Sequence, residues 1–110
     1  MAESTLIFNQ KSAVADTIET FYTSPPGGLG TRITAFTATN NTGSSKTYKA
    51  YIYNSAGALV SAIIGQTIVV PDKSDFGAPI VNQLMPAGGT IRVESSDADS
   101  LNFYASGIES

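Results

Sequence analysis

Lys46-Thr47-Tyr48-Lys49-Ala50-Tyr51-Ile52-Tyr53-Asn54 is the stretch that decides the fold, because its side chains alternate strictly. One face carries Tyr48, Ala50 and Ile52, and the other carries Thr47, Lys49, Tyr51 and Tyr53. Successive side chains of a strand point to opposite faces of the sheet. The alternation therefore predicts a β-strand that has one face on a hydrophobic core.

The run before this strand, Thr31–Asn40, is rich in threonine and carries Ile33 and Phe36. Because the branched Cβ of threonine fits a pleated strand, this run is also predicted to be a strand. The residues between the two runs, 41–45, are a cluster of turn formers. We therefore expect the two runs to pair as a hairpin with a longer loop.

Further short runs of apolar or alternating residues recur along the chain, each bounded by turn formers. They cover residues 5–8, 16–23, 58–64, 66–70, 78–84, 90–94 and 101–108. About eight short strands at this spacing are typical of a β-sandwich. The sequence predicts an all-β chain, folded as a single antiparallel β-sandwich of the Ig-like or jelly-roll Greek-key kind. With 110 residues, one domain spanning residues 1–110 is expected.

Composition narrows the function classes. The chain has no histidine and no cysteine, which removes the commonest general base, the thiol nucleophile and the usual zinc ligands. We therefore expect no enzyme activity, no catalytic residue, no cofactor and no metal site. The six basic residues are scattered and the net charge is −3, so no nucleic-acid partner is expected. No apolar run approaches the roughly 20 residues that span a bilayer, so no membrane partner is expected either.

Three local motifs have an ordinary structural interpretation. Gly27-Gly28-Leu29-Gly30 lacks the Gly-Lys-Ser/Thr ending of a phosphate loop and leads into a strand, so it is interpreted as a turn. Asn40-Asn41-Thr42 matches the glycosylation pattern but is interpreted as loop chemistry. The carboxylates of two turns are interpreted as solvated acids; these are Glu94, Asp97 and Asp99 in one turn, and Asp72 and Asp75 in the other.

Two groups of residues are candidates for an interface. Leu6, Ile7 and Phe8 lie in an N-terminal segment, residues 1–15, that is either the first core strand or an extended arm that docks on a neighbour. Tyr51 and Tyr53 lie opposite the core face of their strand. Exposed tyrosines stack on sugars or fill protein interfaces, although packing against a second sheet or a loop would give the same pattern.

Several segments in combination resemble small structural virion proteins of tailed bacteriophages. They are Phe21-Tyr22-Thr23-Ser24-Pro25, Gly30-Thr31-Arg32-Ile33, the run from Phe36 to Gly43, Pro86-Ala87-Gly88-Gly89-Thr90-Ile91-Arg92-Val93, and Phe103-Tyr104-Ala105-Ser106-Gly107-Ile108-Glu109. The resemblance implies a head decoration or cementing protein made in the host bacterial cytoplasm and located in the virion. Its implied partners are the major capsid protein or other virion proteins, and copies of itself as a homo-oligomer such as a trimer.

Two other functions stay open at this point. The first is a tail or collar component of the virion, which the same resemblance covers. The second is a carbohydrate-binding β-sandwich module that uses Tyr51 and Tyr53.

Overall fold

A computed structural model describes residues 5–60, 68–71, 73–76 and 84–109. These residues form nine strands and no helix. The strands are β1 (Thr5–Lys11), β2 (Ile18–Thr23), β3 (Thr31–Asn40), β4 (Lys46–Tyr53), β5 (Ile68–Val70), β6 (Ser74–Phe76), β7 (Leu84–Met85), β8 (Thr90–Ser95) and β9 (Leu101–Glu109). They build two antiparallel sheets packed on each other, which confirms the predicted all-β class.

The first four strands alternate between the two sheets. The five-stranded sheet has the order β1-β9-β3-β6, with β7 also beside β3, and the four-stranded sheet has the order β2-β8-β4-β5. The predicted hairpin of β3 and β4 is therefore wrong, because the loop at 41–45 carries the chain from one sheet to the other. The residue pattern does not distinguish the two arrangements, because a strand buries alternate side chains in the shared core whether it pairs with the preceding strand or lies in the other sheet.

The core lies between the sheets and is rich in aromatic rings. Phe103 on β9 stands at its centre, with ring centroids 5.1 Å from Tyr48 and 5.4 Å from Phe21. Tyr48, Ala50 and Ile52 are all buried, as the alternation of β4 predicted. Edge-to-face pairs of this kind add to the free energy gained by area burial alone.

The N-terminal segment enters the sheet as its edge strand, since β1 pairs with β9 from Thr5 to Lys11. A register shift between Leu6 and Phe8 makes these two side chains point to opposite faces. Leu6 is exposed and Ile7 is partly buried, whereas Phe8 is only 6% exposed and packs edge-on against Phe21. The interface expectation for Phe8 is therefore wrong, because the bulge turns its ring into the core.

The weaker predicted strands agree less well with the structure. The run at 16–23 begins as a strand only at Ile18, because Asp16 has a left-handed φ of 53°. Of the run at 58–64, residues 58–60 form only an isolated bridge through Leu59, and 61–64 lie outside the described residues. In the run at 66–70, Ile68–Val70 forms β5, and residues 66–67 lie outside the described part. In the run at 78–84, residues 78–83 also lie outside it.

Two loop positions have specific packing reasons. Asn40 is fully buried, and its Nδ2 donates to the carbonyl oxygens of Ser44 and Val70, at 2.8 Å each. Its Oδ1 accepts from the backbone N–H and the hydroxyl of Thr42. The side-chain amide of Asn40, the acceptor position of the glycosylation pattern, is therefore fully hydrogen-bonded within the protein and stabilises the β3–β4 crossover. In the Gly27-Gly28-Leu29-Gly30 turn, Gly30 has a φ of 130° and its Cα lies against the Met85 carbonyl.

Candidate functional site

Tyr51 and Tyr53 lie on the outer surface of the four-stranded sheet, partly exposed, and not between the two sheets. Strands β4 and β8 pair in register, so Tyr51 lies opposite Arg92 and Lys49 lies opposite Glu94. Cross-strand partners share a face of the sheet, and this pairing therefore assembles two tyrosines and three charged side chains. We call Tyr51, Tyr53, Arg92 and Glu94 the tyrosine face.

Direct contacts hold the tyrosine face in one arrangement. The guanidinium carbon of Arg92 lies 4.2 Å from the ring centroid of Tyr53, a cation–π geometry. The Nε of Arg92 also donates to Thr90 Oγ1 at 3.0 Å. The hydroxyl of Tyr51 donates to Glu94 Oε1 at 3.2 Å, and the two tyrosine rings are 6.0 Å apart. These side chains are therefore partly ordered before any partner arrives.

Burial and the Glu94 carboxylate act together on the phenol of Tyr51. Desolvation is the larger cause and the hydrogen bond to Glu94 the next, and both raise the pKa of Tyr51 above its ordinary value. Tyr51 therefore remains a neutral hydrogen-bond donor to Glu94 across the physiological pH range.

A polar cavity of about 110 Å³ adjoins the tyrosine face at Glu94. Its lining includes Asp16, Thr47, Lys49, Glu94, Ser95 and Ser96. The wall is built by backbone bonds, in which Asp16 N–H donates to the Ser95 carbonyl at 2.8 Å and Ser96 N–H donates to the Thr47 carbonyl at 3.0 Å. Within the part of the chain that the structure describes, neither the Asp16 carboxylate nor the Lys49 ammonium has a hydrogen-bond or ion-pair partner.

This cavity has no signal in the sequence. The residue pattern predicts a strand at Asp16 and a solvated turn acid at Glu94. The strict alternation of residues 90–94 puts Arg92 and Glu94 on the same face, but the pairing of β8 with β4 that brings them to Tyr51 has no local sequence signal.

A second exposed surface lies on the outer face of the other sheet. Leu84, Arg32 and Ile108 are cross-strand neighbours in one row. Leu6 pairs with Ser106, two positions before Ile108 on the same face of β9. Leu6 and Leu84 are 54% and 65% exposed, and Leu29, at 83%, precedes Gly30, which lies beside the Leu84 side chain. We call Leu6, Leu84 and the half-buried Ile108 the leucine patch.

The remaining carboxylates of the β8–β9 turn have local roles. Asp97 forms an ion pair of 2.8 Å with Lys46, and Asp99 has a left-handed φ of 53° with its N–H bound to the Ser12 carbonyl. Among the described residues, no group of three or more His, Cys, Asp or Glu side chains could hold a metal ion.

Two further observations complete the description. In the described ranges, no helix is long and apolar enough to cross a membrane. No family model, curated protein or solved structure matches this chain.

Proposed function

We propose that this chain is a non-catalytic structural protein of a tailed-bacteriophage virion, and that it decorates the assembled head through the leucine patch. The residue resemblance of Phe21–Pro25 through Glu109 to small virion proteins supports the class of protein. The observation that carries the mode of attachment is the leucine patch, since exposed apolar side chains grouped on one surface mark interaction sites.

The strand order supports the jelly-roll form of the sandwich over the Ig-like form. β1 lies beside β9, β2 beside β8, β3 beside β6, and β4 beside β5. This is the order obtained when one long antiparallel hairpin, with β1–β4 against β5–β9, is rolled into two sheets. Jelly rolls occur in viral capsid and lectin domains. The fold by itself does not assign a function, and it agrees with the proposal without carrying it.

The chemistry of the leucine patch suits attachment to a protein shell. Burying one leucine side chain contributes about 1.5–3 kcal/mol, and aliphatic contacts do not depend on salt in the way that ion pairs do. Only Arg32 brings a charge into the row between Leu84 and Ile108. Each copy can therefore bind weakly while many copies together reinforce the shell.

The test is co-sedimentation of the purified protein with heads assembled without it. We expect saturable binding at a fixed ratio to the major capsid protein. Leu6→Ser and Leu84→Ser should each weaken it by roughly 10–100-fold, the factor that corresponds to the burial energy of one leucine. Val69→Ser is the matched control, because Val69 is equally exposed but lies on the other sheet.

Two results would overturn the proposal. If heads bind neither the wild-type protein nor any variant, the protein does not decorate the head. Binding to purified tails in the same assay would then support the tail or collar alternative. Binding that is equally strong for wild-type protein and Leu84→Ser would remove the leucine patch as the point of attachment.

A further inference from the structure

The polar cavity beside Tyr51 is not used by the proposed attachment, because it opens on the four-stranded sheet and the leucine patch lies on the other. Strand β4 supplies Lys49 to its wall, β8 supplies Glu94, and the β1–β2 connection supplies Asp16. Three separate segments of the chain thus converge on one space of about 110 Å³. A few polar groups that converge on a concave space can fix the orientation of a small molecule, and the small volume limits the ligand to a single small unit.

The lining mixes hydrogen-bond acceptors with donors. The carboxylates of Asp16 and Glu94 are acceptors, the ammonium of Lys49 is a donor, and the hydroxyl of Ser96, which accepts from the Thr47 N–H, can still donate. Asp16 and Lys49 make no side-chain bond within the described residues, and Glu94 is bound through one oxygen only, to Tyr51. A ligand with adjacent hydroxyl groups, each of which both donates and accepts, would satisfy these groups together.

The backbone of Asp16 is held next to the end of β8. Asp16 has a left-handed φ of 53°, a conformation that costs a non-glycine residue free energy, and its N–H donates to the Ser95 carbonyl. These features place Asp16 at the cavity wall, and its carboxylate has no protein partner within the described residues. Asp99 has the same φ but does not line the cavity, so it is a natural comparison for any test of Asp16.

An aromatic ring borders the same space. The hydroxyl of Tyr51 donates to Glu94, a lining residue, which brings the phenol next to the cavity without making it part of the wall. A phenol ring offers an apolar face to the C–H groups of a sugar ring. The next ring, Tyr53, has one face covered by Arg92, and this leaves Tyr51 as the stacking residue.

We propose that this cavity and the Tyr51 ring bind one pyranose unit of a saccharide. Other ligand chemistries fit the lining less well. A phosphate or other anion would face the carboxylates of Asp16 and Glu94, and a divalent or organic cation would face the ammonium of Lys49. A neutral polyol matches all three groups. This inference goes beyond the proposed function and does not depend on it.

The experiment is a titration of the ¹⁵N-labelled full chain with a panel of methyl pyranosides, followed by amide chemical shifts. At least one pyranoside should bind with a Kd of about the millimolar order expected for so small a ligand. The shifts should be confined to the amides of Asp16, Lys49, Glu94 and Ser96. Tyr51→Ala and Asp16→Asn should each weaken binding at least tenfold, the latter without a backbone penalty because asparagine tolerates a left-handed φ.

Two matched controls make the result specific. Tyr104→Ala removes an exposed tyrosine from the outer face of the other sheet, and Asp99→Asn changes the other left-handed aspartate; both should bind as the wild-type chain does. Unchanged binding in Tyr51→Ala and Asp16→Asn would overturn the proposal. So would a panel in which no pyranoside shifts these amides, or in which they respond instead to N-acetyl-arginine amide or to Ca²⁺.

The two proposals fail separately. Leu84→Ser should lose binding to heads and keep its pyranoside shifts, whereas Tyr51→Ala should lose the shifts and still co-sediment with heads. Loss of both properties in either variant would contradict the assignment of two separate sites.

Discussion

Replacement of Asn40 by alanine should destabilise the fold far more than the loss of one loop side chain would suggest. Asn40 makes four hydrogen bonds while fully buried, two as donor to Ser44 and Val70 and two as acceptor from Thr42. Val70 belongs to the four-stranded sheet and Asn40 to the other, so the side chain also links the sheets. Each bond contributes roughly 0.5–1.5 kcal/mol, so the four together contribute about 2–6 kcal/mol, with a central value near 4 kcal/mol.

The assay is urea unfolding followed by circular dichroism. In a thermal melt of the same variant, a loss of about 4 kcal/mol corresponds to a fall in Tm of roughly 16–32 °C. Asn41→Ala is the matched control, since Asn41 is the exposed neighbour in the same loop, and its free energy of unfolding should change by less than about 0.5 kcal/mol. A cost below about 1 kcal/mol for Asn40→Ala would contradict the role of its four hydrogen bonds in the fold.

Three further changes test the packing. Gly30→Ala places a Cβ against the Met85 carbonyl at a φ of 130° and should cost about 2–4 kcal/mol in urea unfolding, whereas Gly27→Ala, which meets open space, should cost less than about 1 kcal/mol. Phe103→Ala should cost about 3–5 kcal/mol, because the ring is fully buried at the centre of the core; a cost under about 2 kcal/mol would contradict that position. Burial, followed by the hydrogen bond to Glu109, raises the pKa of Tyr22 to about 12. As the pH rises, the phenol of Tyr22 therefore loses its proton in the unfolded chain before it does so in the folded chain. The free energy of unfolding should fall between about pH 10 and pH 12, and this fall should be smaller in Tyr22→Phe.

The sequence predicted individual strands well where the alternation is long. Thr31–Asn40 is β3 to the residue, and the predicted runs at 46–54, 90–94 and 101–108 differ from β4, β8 and β9 by one residue at one end. In these strands one face is buried and the other is not, and the residues therefore alternate between apolar and polar along the strand. The face assignment of Tyr51 and Tyr53 followed from the same pattern.

Strand pairing and short elements could not be predicted in this way. β6 and β7 are three and two residues long, too short for a period to appear. The crossover of β3 and β4 depends on which sheet buries each strand, and alternation is the same in either arrangement. The bulge that separates Leu6 from Phe8 is likewise a property of pairing with β9, and not of the residues themselves.

The polar cavity could not be predicted from the sequence for the same reason, because it depends on strand pairing. Asp16, Lys49 and Glu94 are far apart along the chain, and the register of β4 with β8 brings the last two together. Asp16 joins them only because its N–H is bound to the end of β8. Single residues of each type looked like ordinary surface charges in the sequence, and only their convergence distinguishes the site.

The most direct test of the proposed function is a cryo-EM reconstruction of purified particles that carry this protein. We expect density for the two-sheet domain at repeated positions on the head, with the leucine patch against the shell and the tyrosine face turned to solvent. Density confined to the tail, or head density in which Tyr51 and Arg92 face the shell and Leu84 faces solvent, would contradict it.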